Sequence, residues 1–196
     1  MAFLNTVPEE DAEGEVAVFY ASDRDRMGYI PNYTRIFSLH PEAFAAWRGL
    51  AGAVLRGMDE RRYELATLGA ARRLRSSYCS LAHGKILRDK FHDADQVRRL
   101  VEDPTASGME EVDQAIFEFA GKVAADATSV TTDDIDCLRS VGLDDRDVFN
   151  VILAASARCF FSKVLDASGT FPDRVYRDLE PELREALTVG RPIEEG

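Results

Sequence analysis

The sequence is poor in the residues that usually carry nucleophilic catalysis or covalent cross-links. It has three cysteines, three histidines and one tryptophan among 196 residues. An odd number of cysteines without regular spacing argues against the disulfide framework of a secreted domain. We therefore expect a reducing compartment, and the cytoplasm is the predicted location.

Positive charge is also in short supply. The chain carries 24 lysines and arginines against 35 aspartates and glutamates, so its formal net charge is -11. A surface of this sign repels nucleic acids and anionic membranes. We therefore expect no nucleic-acid partner and no membrane partner.

Targeting and cofactor signals are missing as well. Residues 1–14 lack the basic and long apolar regions of a secretory signal. The most apolar segment, residues 148–165, contains Asn150, Arg158 and Lys163, which lipid would disfavour strongly. This segment is better interpreted as a buried helix or a subunit interface. No glycine-rich phosphate loop or dinucleotide fingerprint occurs, so we predict no cofactor.

The hydrophobic pattern is helical along nearly the whole chain, and no alternating run is long enough for a strand. We therefore predict an all-α fold, a helical bundle in which residues 1–196 form one domain. Its motif region is residues 59–90, and a C-terminal helical extension starts near residue 170. The main predicted helices cover about residues 14–28, 41–57, 59–74, 79–90, 109–128, 131–142 and 145–167.

The stretch RSSYCSLAHG, residues 75–84, places Cys79 four residues before His83. If a helix begins near Cys79, the two side chains share a face, with Cβ atoms about 5–6 Å apart. A helix N-terminus favours a thiolate over a thiol, and an imidazole can accept the thiol proton. The spacing therefore indicates a reactive thiol, although a buried cysteine is often only a small hydrophobe.

Glu64 is the candidate partner of this histidine. It lies in the preceding helix among apolar neighbours, so it is either a solvated surface group or a carboxylate buried for a purpose. An antiparallel pair of helices would bring it toward His83, although spacing alone does not show which way it faces. Glu64, Cys79 and His83 could also bind zinc, but one Cys-x3-His pair is a weak signal and we predict no metal.

These residues resemble the active-site motif of the alkylhydroperoxidase-D-like and carboxymuconolactone decarboxylase superfamily. Its pattern is a glutamate, a Cys-x-x-Cys pair and a histidine four residues after the second cysteine. Residues 28–50 are also similar to the segment that precedes the motif in the peroxidase-related branch. The residues that match the motif at its spacing are Glu64, Tyr78, Cys79, Ala82, His83 and Gly84.

The resemblance implies a thiol-dependent (hydro)peroxide reductase. Cys79 would be the thiolate that attacks a small-molecule peroxide, His83 and Glu64 would form the proton relay, and Tyr78 would be a neighbouring residue of the site. The family also implies a homo-oligomer, either a trimer or hexamer, or a dimer.

The sequence departs from the family at Ser76, which takes the place of the first motif cysteine. A serine hydroxyl cannot condense with a sulfenic acid to form a disulfide. Of the remaining cysteines, Cys159 is expected in the core, and the distance of Cys137 from Cys79 is not readable from the sequence. Resolution would therefore need an external thiol reductant or a cysteine of another subunit, or Cys79 does not turn over.

Two other functions fit the same scaffold. A lactone decarboxylase of the superfamily does not depend on a cysteine pair, and it needs cations for substrate carboxylates. Arg72, Arg73 and Arg75 lie close in sequence, although they could equally form a solvated face. The second is a non-catalytic interaction protein with a disabled site.

Overall fold

The computed structural model describes residues 2–195, which are 73% helical and contain no β-strand. The all-α class predicted from the hydrophobic pattern is therefore confirmed. The α-helices are α1 (Gly14–Met27), α2 (Asn32–Phe37), α3 (Pro41–Arg56), α4 (Glu60–Arg73), α5 (Ser77–Lys90), α6 (Ala94–Glu102), α7 (Glu111–Asp126), α8 (Thr132–Ser140), α9 (Asp145–Ala167) and α10 (Pro181–Leu187).

The helix ends follow local side-chain chemistry. The Asp59 carboxylate caps α4 by accepting a hydrogen bond from the Arg62 backbone N–H at 3.1 Å, which satisfies a donor that has no partner inside the helix. Asp144 caps α9 in the same way through Asp147. Gly28 ends α1 in the left-handed region, with φ of 81°, where glycine has no steric penalty.

The helix predicted to begin near Cys79 begins earlier, at Ser77. The chain reverses at Arg75, the one non-glycine residue in 2–195 with a positive φ, 58°. Ser76 then serves as the N-cap, and its carbonyl accepts the Ser80 N–H at 2.9 Å. The predicted break is therefore shorter, and Cys79 is the third residue of α5.

Helix α4 is at the centre of the core, and every residue from Tyr63 to Ala71 is buried. It packs against α5, α7 and α9. The approach of α7 is very close at Gly69, where a Cβ atom would lie 2.1 Å from the Phe117 carbonyl oxygen. A side chain at this position would therefore force the two helix backbones apart.

The apolar segment 148–165 lies within α9, which packs against α3, α4 and α7. In residues 2–195, α9 is the one helix that is long and apolar enough to cross a membrane, and half of its apolar window is buried inside the protein. The core helix of a globular protein passes the same test.

The C-terminal residues pack on the start of α5. The Gly190 N–H donates to the Ser77 hydroxyl at 2.7 Å. A Cβ atom at Gly190 would lie 2.2 Å from the Arg75 carbonyl oxygen. The tail therefore lies against the turn that precedes the motif helix, and only glycine permits this approach.

We expect Gly69→Ala to destabilise the protein by about 2 kcal/mol or more, because the added methyl group collides with the backbone of α7. The matched control is Gly49→Ala in α3, where an added Cβ meets nothing within 4 Å. There we expect a gain of about 0.5–1 kcal/mol from helix propensity. Denaturant unfolding measures both, and equal effects at the two glycines would contradict the close approach.

Candidate active site

The reversal at Arg75 brings Glu64 of α4 against His83 of α5. The Glu64 Oε2 atom lies 2.5 Å from His83 Nδ1. Glu64 is 4% exposed and His83 is 8% exposed. The carboxylate is therefore buried, and its hydrogen bond is to the imidazole that follows Cys79 by one helical turn.

Cys79 is 1% exposed and lies in the first turn of α5. His83 follows at the i+4 position, so their Cβ atoms are about 5–6 Å apart on one helix face. When Glu64 is ionised, the Nδ1–H of His83 donates to its carboxylate, and Nε2 is left as an acceptor. The pKa of His83 is lowered by burial and then by the positive charge of Arg158, against the opposing effect of Glu64. The imidazole is therefore neutral near pH 7 and able to accept a proton.

A residue of α9, Arg158, completes the cluster. Its Nη1 atom lies 3.5 Å from Cys79 Sγ, and the side chain is 4% exposed. The guanidinium carbon lies 5.8 Å from the Trp47 ring centroid and 5.4 Å from that of Phe161. These two rings stack on each other, with centroids 4.0 Å apart. They hold the guanidinium in place against the thiol.

The contact between Arg158 and Cys79 was not predicted from the sequence, in which Arg158 only argues against a membrane span. A single arginine in an apolar helix was the available signal, because a buried charge needs a partner.

Tyr63, one residue before Glu64, is a second residue that the sequence reasoning missed. Its ring lies edge-on to His83, with centroids 6.3 Å apart. Burial raises the pKa of Tyr63, and Arg158 offsets this in part. The phenol therefore stays neutral and forms a wall of the site.

Ser76 is fully buried, and within residues 2–195 its hydroxyl has no hydrogen-bond partner. The Asp166 carboxyl lies close to this hydroxyl. Burial raises the pKa of Asp166, and the Ser76 hydroxyl offsets part of this rise, although the two groups do not meet the geometric criteria of a hydrogen bond. The position of the family's first cysteine is thus a buried site beside the N-terminus of α5, three residues before Cys79.

Tyr78 is adjacent to Cys79 in sequence, but its hydroxyl is bound elsewhere. It donates to the Asp173 carboxylate and accepts the Tyr33 backbone N–H at 3.3 Å. Burial raises the pKa of Tyr78 well above its usual value. Its polar atom therefore anchors α5 to the segment after α9.

The other two cysteines do not join the site. Cys137 is exposed on α8, and Cys159 is only half-buried on α9 rather than in the core as predicted. Consecutive helix residues point about 100° apart, so Cys159 lies off the face that presents Arg158 to Cys79. Burial raises the pKa of the Cys159 thiol. All three cysteines are free.

The arginines near the motif are bound away from Cys79. Arg72 donates to the Val101 carbonyl at 3.1 Å and to the Ala186 carbonyl. Arg75 donates to the Val189 carbonyl at 3.3 Å, and Arg73 is exposed. Arg72 and Arg75 thus connect the C-terminal residues to the core, whereas the side chain of Arg73 lies at the surface. No group of three or more His, Cys, Asp or Glu side chains in 2–195 is arranged to hold a metal ion.

No protein-family model matches the chain, and no curated protein matches it. The chain does match solved structures. A peroxidase-related protein with an alkylhydroperoxidase AhpD core, from Ralstonia eutropha, has a TM-score of 0.80 at 18% identity over 97% of this chain and 98% of that chain. A peroxidase-related protein from a Silicibacter species has a TM-score of 0.76 at 18% identity over 90% of this chain and 91% of its own. A debrominase in complex with 2,3,4-tribromopyrrole has a TM-score of 0.69 at 14% identity, covering 94% and 95%.

The chain therefore has the alkylhydroperoxidase-D-like fold. The resemblance to the peroxidase-related branch, drawn from the motif, is confirmed at the level of the fold. At these identities the similarity shows the fold alone.

The hydrogen bond between Tyr78 and Asp173 leads to a prediction about how stability depends on pH. The Asp173 Oδ1 atom accepts the Asn32 N–H at 2.8 Å, and burial raises the Asp173 pKa to about 6. The folded protein thus binds this proton more tightly than the unfolded chain, and stability falls as pH rises from about 4 to 6. We expect Asp173→Asn to remove roughly 2–3 kcal/mol of that fall in the free energy of unfolding.

Denaturant unfolding at pH 4 and pH 7 measures this difference. The control is Asp126→Asn at an exposed carboxylate, whose pKa is lowered by its hydrogen bonds to Thr128. That carboxylate stabilises the fold above its unfolded pKa, so its pH effect has the opposite sign. Parallel pH profiles for wild type and Asp173→Asn would contradict the raised pKa.

Proposed function

We propose that the protein is a thiol-dependent (hydro)peroxide reductase in which Cys79 is the peroxidatic thiol. The observation that carries the proposal is the buried hydrogen bond between Glu64 and His83, one turn after Cys79. A carboxylate is buried at a cost unless it has a partner. Here the partner is a neutral imidazole with its other nitrogen free to accept a proton, which is what activation of a thiol needs.

The first step follows from this arrangement. The Cys79 thiol transfers its proton to His83, and the sulfur attacks the outer oxygen of the peroxide. The O–O bond breaks, and the leaving alkoxide takes the proton from His83. Cys79 becomes a sulfenic acid, the peroxide becomes an alcohol, and Glu64 stabilises the imidazolium that forms between the two transfers.

The second step needs a thiol from outside the site, because position 76 offers only a hydroxyl. One thiol attacks the sulfenic acid, releases water and forms a mixed disulfide with Cys79. A second thiol breaks that disulfide and restores Cys79. The position of Cys137 on the surface and the orientation of Cys159 favour an external reductant, and a cytoplasmic thiol pool would supply it.

The lactone decarboxylase alternative has less support. Its substrate carboxylates need accessible cations, and Arg72 and Arg75 are bound to backbone carbonyls. A non-catalytic interaction protein would have the same scaffold and would differ only in turnover. Activity measurements therefore distinguish it from the peroxidase.

Peroxide consumption with dithiothreitol as the reductant tests the proposal. We expect the wild type to consume peroxide and Cys79→Ser to lose at least about 100-fold of the rate, because the nucleophile is gone. Ser76→Cys should turn over faster, because it restores a resolving thiol beside Cys79. The control is Cys137→Ser at an exposed cysteine outside the site, which should leave the rate unchanged.

Equal inactivity of the wild type, Cys79→Ser and Ser76→Cys would reject the peroxidase. A silent wild type with an active Ser76→Cys variant would mean a scaffold that lost turnover with its resolving thiol, and would favour the interaction protein.

We also propose that the protein is a homo-oligomer. Phe149 and Phe160, eleven residues apart on one side of α9, are 57% and 46% exposed, and Leu50 on α3 is 49% exposed. Exposed large apolar side chains that share a face favour an interface.

Light scattering should give a mass of two, three or six times the 21.8 kDa chain. The double variant Phe149→Lys, Phe160→Lys should shift this mass toward one chain, because two charges would be buried in the interface. A monomeric wild type would contradict this assembly without touching the peroxidase chemistry.

A further inference from the structure

Arg158 feels the negative charge of Glu64 but forms no ion pair with it. A guanidinium is always protonated in proteins, and this one is 4% exposed. Within residues 2–195 it forms no ion pair, and its Nε–H has no hydrogen-bond partner. Its Nη1 atom donates to Cys79 Sγ at 3.5 Å, and the guanidinium also has a hydrogen bond with the uncharged phenol of Tyr63.

The surroundings of Arg158 position its charge without cancelling it. The Trp47 and Phe161 rings attract a cation through their π faces, but such contacts are weak beside the cost of burying a cation without an ion pair. An anionic sulfur at Cys79 would remove much of that cost, because it would give the guanidinium a counterion at contact distance.

The four charged or ionisable groups are arranged so that one proton transfer creates two ion pairs. With a thiol at position 79, the site holds anionic Glu64, neutral His83 and cationic Arg158. When the thiol proton moves to His83, the imidazolium faces the Glu64 carboxylate and the thiolate faces Arg158. The net charge of the buried site is unchanged, and every charge has an opposite neighbour.

We propose that Arg158 is the counterion of the Cys79 thiolate and that it drives this proton transfer toward the ionised form. Arg158 is in direct contact with the sulfur that would react. Its role in catalysis rests on the proposed peroxidase function. The ionisation itself is a property of the folded chain and does not depend on turnover.

The other titratable groups around Cys79 do not compete for this role. Tyr63 comes from α4 and Tyr176 from the turn Arg174–Asp178, and burial raises the pKa of both phenols. They are therefore neutral in the working pH range. Glu64 is hydrogen-bonded to His83 and carries the opposite sign. Arg158 is thus the cation that contacts the sulfur at any pH in this range.

The experiment follows the ionisation of Cys79 in a Cys137→Ser, Cys159→Ser background, where it is the sole thiol. Thiolate ultraviolet absorbance and the rate of iodoacetamide alkylation are measured against pH. In this parent we expect a thiol pKa below the value of about 8.5 for free cysteine. Arg158→Met should raise it by about one unit or more, so that alkylation at pH 7 slows about tenfold.

Two further variants separate electrostatics from packing. Arg158→Lys keeps a cation and should recover part of the low pKa. Arg72→Met is the matched control, because Arg72 is also partly buried but binds the carbonyls of Val101 and Ala186; it should leave the titration of Cys79 unchanged.

The single tryptophan gives an independent signal, because Trp47 lies 5.8 Å from the guanidinium carbon of Arg158. Its fluorescence should show a pH step that coincides with the ionisation of Cys79. Cys79→Ser should remove that step, and Arg158→Met should shift it to the higher pKa of its thiol, in a protein that keeps its helical circular dichroism.

A folded Arg158→Met variant that titrates like its parent would overturn the proposal, and so would a parent whose thiol titrates at or above about 8.5. The second result decides the matter even if Arg158→Met fails to fold. Peroxide consumption is measured in parallel. A low thiol pKa without turnover rejects the peroxidase and keeps Arg158 as the counterion. Turnover with an ordinary thiol pKa keeps the peroxidase and rejects Arg158 as the counterion.

Discussion

The hydrogen bond between Glu64 and His83 is the contact on which the rest of the site depends. It joins the central helix of the core to the motif helix, and both side chains are almost completely buried. A lone buried carboxylate is costly, so the imidazole is part of what makes the packing of α4 possible. The same bond settles which ring nitrogen carries the proton and leaves the other as an acceptor. One contact therefore supports the packing and, in the proposed reaction, the activation of Cys79.

The backbone packing makes that contact possible. Small residues in α4, and Gly69 above all, let α7 approach until no side chain fits between them. At the other end the C-terminal tail lies on the turn at Arg75 through Gly190. Cys79 is consequently closed off from solvent, and Arg158 contacts its sulfur.

In the proposed reaction, Ser76 would change the second half of the chemistry and leave the first half intact. The attack of a thiolate on peroxide needs a base and a counterion, which α4, α5 and α9 place around Cys79. Resolution needs a second sulfur, and the buried hydroxyl at position 76 cannot supply one. In the proposed reaction the site would separate oxidation from its reversal, and the external thiol would have to reach a sulfur that is 1% exposed. Access would then be the step on which the proposed turnover depends.

The sequence alone determined the helical class, most helix ends, and the spacing of Glu64, Cys79 and His83, because propensities, caps and the i, i+4 face are local properties. It placed the start of α5 too late, since the left-handed turn at Arg75 is set by the packing around it. Only the tertiary structure brought Arg158 to a cysteine 79 residues earlier, turned Cys159 off the site, and bound Arg72 and Arg75 to the tail. Those outcomes depend on how α9 and the C-terminal residues pack on α4 and α5, and no local pattern carries the orientation of one helix against another.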